Sequence, residues 1–170
     1  MTVIKPHLPS GYTIFCDDLR QEVSGKVTIV GAYSGGMQIV AEGPISLPRF
    51  AAMVLLWTDP AAPRKGLVLK LMFETDDGEI EEVFSADFSA EQLGTATLDP
   101  QGSTDHIELR SMVQLANVQI SRSGRFKVRF YDQSDEIRVG TLRVLISPPE
   151  GSRPENTEPK RSRGKRAKVG

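Results

Sequence analysis

Along most of the chain, short stretches of alternating apolar and polar residues are separated by turn formers, and no segment keeps a helical period long enough for a substantial helix. Nine candidate strands follow from this pattern, roughly at 12–17, 26–33, 37–42, 50–58, 67–74, 80–88, 106–120, 125–131 and 137–147. The alternation is cleanest where Leu67, Leu69, Leu71 and Phe73 oppose Val68, Lys70, Met72 and Glu74, and where Phe126, Val128 and Phe130 oppose Lys127 and Arg129. Strands of this kind have one dry and one wetter face. Turn signals lie at Ser24-Gly25, Gly35-Gly36, Asp76-Asp77-Gly78 and Ser123-Gly124. Short strands, frequent turns and no long helix predict an all-β fold, an antiparallel β-sandwich of roughly seven to nine strands.

Two strands change phase. Ile107, Leu109, Val113 and Leu115 share a parity that Val118 and Ile120 leave, and Leu142, Val144 and Ile146 leave the parity of Ile137 and Val139. A bulge or bend near Ala116-Asn117 and near Gly140-Thr141 would return the apolar side chains to one face. In the run from Phe50 to Trp57 apolar residues fill both parities, and its length favours a strand buried on both faces over a helix. The long connection 89–105 opens with Ser89-Ala90-Glu91-Gln92, a capping-box pattern that predicts a single helical turn in a crossover between sheets.

The last residues, 148–170, break the pattern: apart from prolines only Ala167 and Val169 are apolar. Such a segment has no buried surface to offset its ordering entropy, so a β-sandwich domain over 1–147 and a disordered basic tail over 148–170 are expected. Apolar content of 39% and charge of 25% are those of an ordinary globular protein, and the length suits one domain. Seven basic and three acidic residues give the tail +4, so with −1 for the whole chain the body carries −5. Either polyanions meet the tail rather than the body, or the basic tail folds back on its own acidic domain. Cys16 has no partner for a disulfide, the N-terminus shows no leader pattern, and the longest apolar run is far too short to cross a membrane, so a cytoplasmic location without membrane contact is expected.

The stretch Ile14-Phe15-Cys16-Asp17-Asp18-Leu19-Arg20, followed by Glu22, Gly25-Lys26 and Ile29-Val30-Gly31-Ala32-Tyr33, resembles the opening of a family of uncharacterised bacterial proteins that carries only a domain-of-unknown-function label. Pro44, Leu47-Pro48 and Ser123-Gly124-Arg125-Phe126 look like its further marks, and the match spans most of residues 12–146. What the resemblance implies is an antiparallel β-sandwich with no known activity and no catalytic residues to transfer. It also favours a strand at Phe50 to Trp57.

Candidate chemistry is sparse. A nucleophile needs a base and an orienting group, yet the only histidines are His7 in a Pro-flanked stretch and His106 at a strand start, while Cys16 sits in an apolar strand. One Cys and two distant His cannot supply the usual four zinc ligands. Loop carboxylates Asp59, Asp76, Asp77, Glu79, Asp132 and Asp135 recommend a comparison with Ca²⁺-binding C2-like sandwiches. If strands alternate in direction, only Asp59, Asp132 and Asp135 share an end, and Asp favours turns for local reasons, so turn chemistry is the preferred reading. Asp17, Asp18, Arg20 and Glu22 form a polar recognition candidate, weighed against Asp capping its own turn while Arg20 pairs locally. Lys160, Arg161, Arg163, Lys165, Arg166 and Lys168 form a dense basic arm without aromatics, suited to non-specific phosphate contact. The expectation is a non-enzymatic binding or assembly module without a cofactor, whose partner is another protein. The alternatives are a nucleic-acid-associated protein acting through its arm and a Ca²⁺-dependent C2-like domain.

Overall fold

The computed structural model describes residues 9–62, 64–95, 106–133 and 135–149. They form ten strands and one short helix: β1 (Ser10–Cys16), β2 (Asp18–Gln21), β3 (Val27–Val30), β4 (Gly36–Val40), β5 (Ile45–Thr58), β6 (Gly66–Thr75), β7 (Ile80–Ser89), α1 (Ala90–Thr95), β8 (Ile107–Ile120), β9 (Gly124–Tyr131) and β10 (Glu136–Ser147). A three-stranded sheet, β1-β5-β8, packs on a five-stranded sheet, β4-β10-β9-β6-β7, and β2 and β3 make a separate hairpin. All pairings are antiparallel except β4 with β10, which run parallel and are separated in the chain by β5 and five later elements. The all-β sandwich is therefore the one its alternation predicts. The tenth strand is β2, which pairs with β3 where a turn was expected, and β5 starts at Ile45, five residues earlier than its apolar run.

The dry faces meet between the sheets. Leu67, Leu69, Leu71 and Phe73 are buried, as are Phe126, Val128 and Phe130, and Phe126 stacks on Phe50 across the sandwich at 4.4 Å between centroids. Both phase changes are present, by different means. In β10 the ladder to β9 skips a residue between Arg138 and Gly140, a bulge that returns Leu142 and Val144 to the core. In β8 the register against β5 is unbroken, Leu47 facing Val118 and Arg49 facing Ala116. Both partners change parity together there, Asn117 at φ 56 lying opposite Pro48, which has no N–H to donate. Helix α1 carries the expected capping box: Ser89 N–H donates to Gln92 Oε1 at 2.8 Å, and Gln92 N–H donates back to Ser89 Oγ at 3.3 Å.

At one edge the two sheets nearly touch. Thr13 Oγ1 donates to the carbonyl of Val139 at 3.1 Å, and a Cβ at Gly11 or Gly140 would collide with the facing strand, so glycine permits β1 to cross β10. The hairpin β2-β3 lies on the outer side of the three-stranded sheet, where Leu19 joins Cys16 and Ala51 in a second small core. Gln114 Nε2 on β8 donates to the Leu19 carbonyl and fastens the hairpin there.

Candidate functional site

Asp17 separates β1 from β2, and its main chain is held by a bond from its N–H to the Val30 carbonyl at 3.0 Å. Tyr33 donates its hydroxyl to Asp17 Oδ1 and its N–H to the Phe15 carbonyl at 2.9 Å. Gly31, at φ 66, lies so close that a Cβ would overlap the Asp17 carboxylate. Burial, and then the bond to Asp17, push the Tyr33 hydroxyl well above its ordinary pKa. Asp18 accepts from Arg20 Nε at 3.1 Å and Arg49 at 3.2 Å, and the Arg20 bond holds its carboxyl below the usual range. Glu22 accepts from the Thr28 hydroxyl. Of the four residues in the polar recognition candidate, each is thus engaged within the corner that fixes β2-β3 to β1. The resemblance marks Asp17, Gly31 and Tyr33 converge on one structural contact.

Cys16 is buried, with its thiol pushed up by burial and directed at the Asp18 carbonyl at 3.5 Å. His106 packs edge-on against Trp57, at the Ser10 end of β1, whereas Cys16 pairs with Ala51 at the other end. Six residues of strand separate those ends by about 20 Å, so the two cannot form a nucleophile and base pair. His7 lies outside the described residues.

The acidic loops divide between the two ends of the sandwich as expected. Asp59 accepts from the Ala61 N–H at 2.8 Å and Asp132 from the Asp135 N–H at 2.9 Å, both local turn bonds. Arg64 bridges Asp132 and Asp135, so a guanidinium fills the position a cation would take between them. At the opposite end Arg143 chelates Asp76 and Arg122 pairs with Asp77 and reaches Glu79. No group of three or more His, Cys, Asp or Glu among the described residues could hold a metal ion. The basic arm, Lys160 to Lys168, lies outside the described residues. No helix among them is long and apolar enough to cross a membrane.

The largest feature that sequence reasoning missed is the outer side of the three-stranded sheet. Tyr12 and Ile14 on β1, Met53, Leu55 and Trp57 on β5, and Met112 on β8 share that side, in register, Tyr12 beside Leu55 and Met53 between Ile14 and Met112. The strand expected at 50–58 to be buried on both faces is buried along its inner side and, on its outer side, at Ala51 and Leu55. Outside, the β2-β3 hairpin covers Ala51, but Met53 and Trp57 remain half-buried, and Tyr12 and Met112 are 41% and 40% exposed. Tyr12 tilts onto Trp57 at 5.5 Å, and Trp57 Nε1 donates to Glu108 at 3.2 Å. The signal was present in the doubled parity of 50–57; what it could not show is that a four-residue hairpin strand covers only one end.

Near the loops at the Arg64 end, a pocket of about 850 Å³ opens between Lys65, Val68, Asp87, Phe88, Gln92 and Tyr131, within the range of small-ligand sites. The outer face of the five-stranded sheet is polar, laced by Lys70 to Glu82 at 2.6 Å, Lys127 to Glu74, and Arg129 and Arg138 to Glu136. No protein-family model and no curated protein matches the chain.

Proposed function

We propose that the protein is a non-enzymatic binding or assembly module that engages another protein through the outer side of its three-stranded sheet. The observation that supports this is the strip of Tyr12, Ile14, Met53, Trp57 and Met112, left open beyond the β2-β3 hairpin. Tyr, Trp and Met are residues that protein interfaces concentrate, Tyr and Trp because they bury large area at little entropic cost and Met because its flexible thioether adapts to the partner's surface. Ion pairs cover much of the five-stranded sheet and the acidic loops, and the exposed apolar residues Val40, Ile80 and Leu145 sit on β4, β7 and β10 of that other sheet. Exposed apolar surface that is continuous and rimmed by charge, here Glu108 and Arg110, is the usual form of a docking face.

The test compares the wild-type protein with a Tyr12→Glu/Met112→Glu variant, each immobilised and challenged with lysate of the source organism under quantitative mass spectrometry. Proteins retained by the wild type should fall tenfold or more on the variant, with both melting at the same temperature. Equal retention, or no retained protein, would overturn the reading. The basic arm supports a second reading, polyanion contact, because six cations within nine positions gain affinity by counterion release.

A further inference from the structure

We infer that recognition proceeds by strand addition: an extended segment of a partner protein, apolar at alternate positions, adds to the edge of β8 beneath the inward side of β7. This rests on the binding reading above and names its mode. Strand order supplies the first argument. β1 crosses β10, and β5 lies over β9 through Phe50 and Phe126, which places β8 over β6 and leaves β7 with no strand opposite among those described. Burial follows the same line. In register with one another, Leu71 faces Phe84 and Leu67 faces Phe88, yet the leucines are buried to 2% exposure or less while Phe84 and Phe88 stay half-buried.

The edge itself is the second argument. Among the described residues β8 pairs only with β5, so fourteen residues present one unsatisfied row of backbone groups. The other long edge, β7, is guarded by Glu81, Glu82 and Asp87, and the edge strand β4 is only five residues long. On β8 from Ile107 to Ala116 the two charges, Glu108 and Arg110, are spent on each other at 2.7 Å, and no proline or positive φ interrupts the run. An added strand would satisfy that row, send alternate side chains under Phe84 and Phe88, and lay the others beside Met112 on the outer strip.

The geometry also selects the occupant. A second copy joining through its own β8 would bring its β6 into the space that β7 already occupies, whereas a single strand fits beneath it. Within the chain, 1–8, 96–105 and 150–170 contain no proline-free run of three alternating apolar residues. The segment is therefore assigned to a different protein.

A displayed library of random dodecapeptides, selected on the full-length protein, tests this. Winners should carry Val, Ile, Leu or Phe at alternate positions, and the synthetic winner should slow amide hydrogen exchange at 107–116 tenfold or more without slowing it in β4. Phe84→Ser should weaken its binding about tenfold; the exchange map needs no variant and stands even if that one unfolds. Lack of enrichment, winners without alternation, or protection elsewhere would overturn strand addition. If strand addition fails while partner retention still depends on Tyr12 and Met112, the binding reading survives; if retention fails as well, both fall.

Discussion

Gly31 shows how much one residue can carry. Its φ of 66 costs an L-residue about 1–2 kcal/mol, and a Cβ would press on the Asp17 carboxylate that Tyr33 holds. Gly31→Ala should therefore lower the melting temperature by several degrees, and Asp17→Ala should cost less in the Gly31→Ala background than in the wild type, because the overlap is shared. Additive losses in a thermal-melt double-mutant cycle would refute that coupling. Tyr33 makes a separate prediction with pH. Its hydroxyl pKa is raised above the unfolded value of about 10, so its contribution is complete below that pH and is lost as pH rises past it. Stability should fall above about pH 10, and less steeply in Tyr33→Phe, whose unfolded state has no phenol to ionise. The thiol of Cys16 and the ammonium of Lys70, raised by burial and by Glu82, shift stability in the same alkaline sense, which is why the single variant is needed.

At the level of elements, periodicity read the inward faces of β6 and β9 correctly because alternate residues of a strand point to opposite sides. It assigned Arg129 to the wetter face, where the side chain does pair with Glu136, yet Arg129 is only 7% exposed, because its guanidinium also donates to the main-chain carbonyls of Val128, at 2.8 Å, and Gly140, at 3.0 Å. The acceptor at Gly140 belongs to the bulge, so the burial of one strand depends on an irregularity in its neighbour. The paired phase change of β5 and β8 depends on Asn117 adopting the left-handed region. Asn117→Val, β-branched at positive φ, should be destabilising by about 1–2 kcal/mol, while Asn117→Gly should be near neutral or stabilising in denaturant titration. Equal effects of both would show that the left-handed backbone is not what matters there. Phe126 sits between Phe50 at 4.4 Å and Phe73 at 4.8 Å, and Phe126→Ala should cost about 3–5 kcal/mol in the same assay.

For the molecule as a whole, charge separates what the body and the arm can do. The body at −5 repels phosphate, so any nucleic-acid binding should vanish when Lys160, Arg161, Arg163, Lys165, Arg166 and Lys168 are replaced by Ser. Binding by the intact protein should weaken steeply with salt, with a log-log slope no steeper than about −5 if all six meet duplex phosphates. Retention by the Ser variant on a DNA column would instead place a binding surface on the sandwich. Deleting 148–170 should leave the melting temperature within about a degree of wild type, because that segment offers almost no apolar surface.

Local pattern by itself determined the class of fold, the inward residues of β6 and β9, the capping box at Ser89 and the need for a bulge at Gly140, because period, turn chemistry and parity act over a few residues. Which strands meet was settled only by tertiary structure. Pairing of β4 with β10 joins residues about a hundred positions apart, and the corner of Asp17, Gly31 and Tyr33 needs two strands and a turn before its atoms touch. The same holds for the open side of the sandwich. Tyr12, Met53, Trp57 and Met112 read as ordinary core residues in isolation, and Phe84 and Phe88 as a normal inward face. Exposure is a property of what lies opposite: three strands facing five leave Phe84 and Phe88 half-buried, and a hairpin over one end of the three-stranded sheet leaves Tyr12 and Met112 exposed at the other.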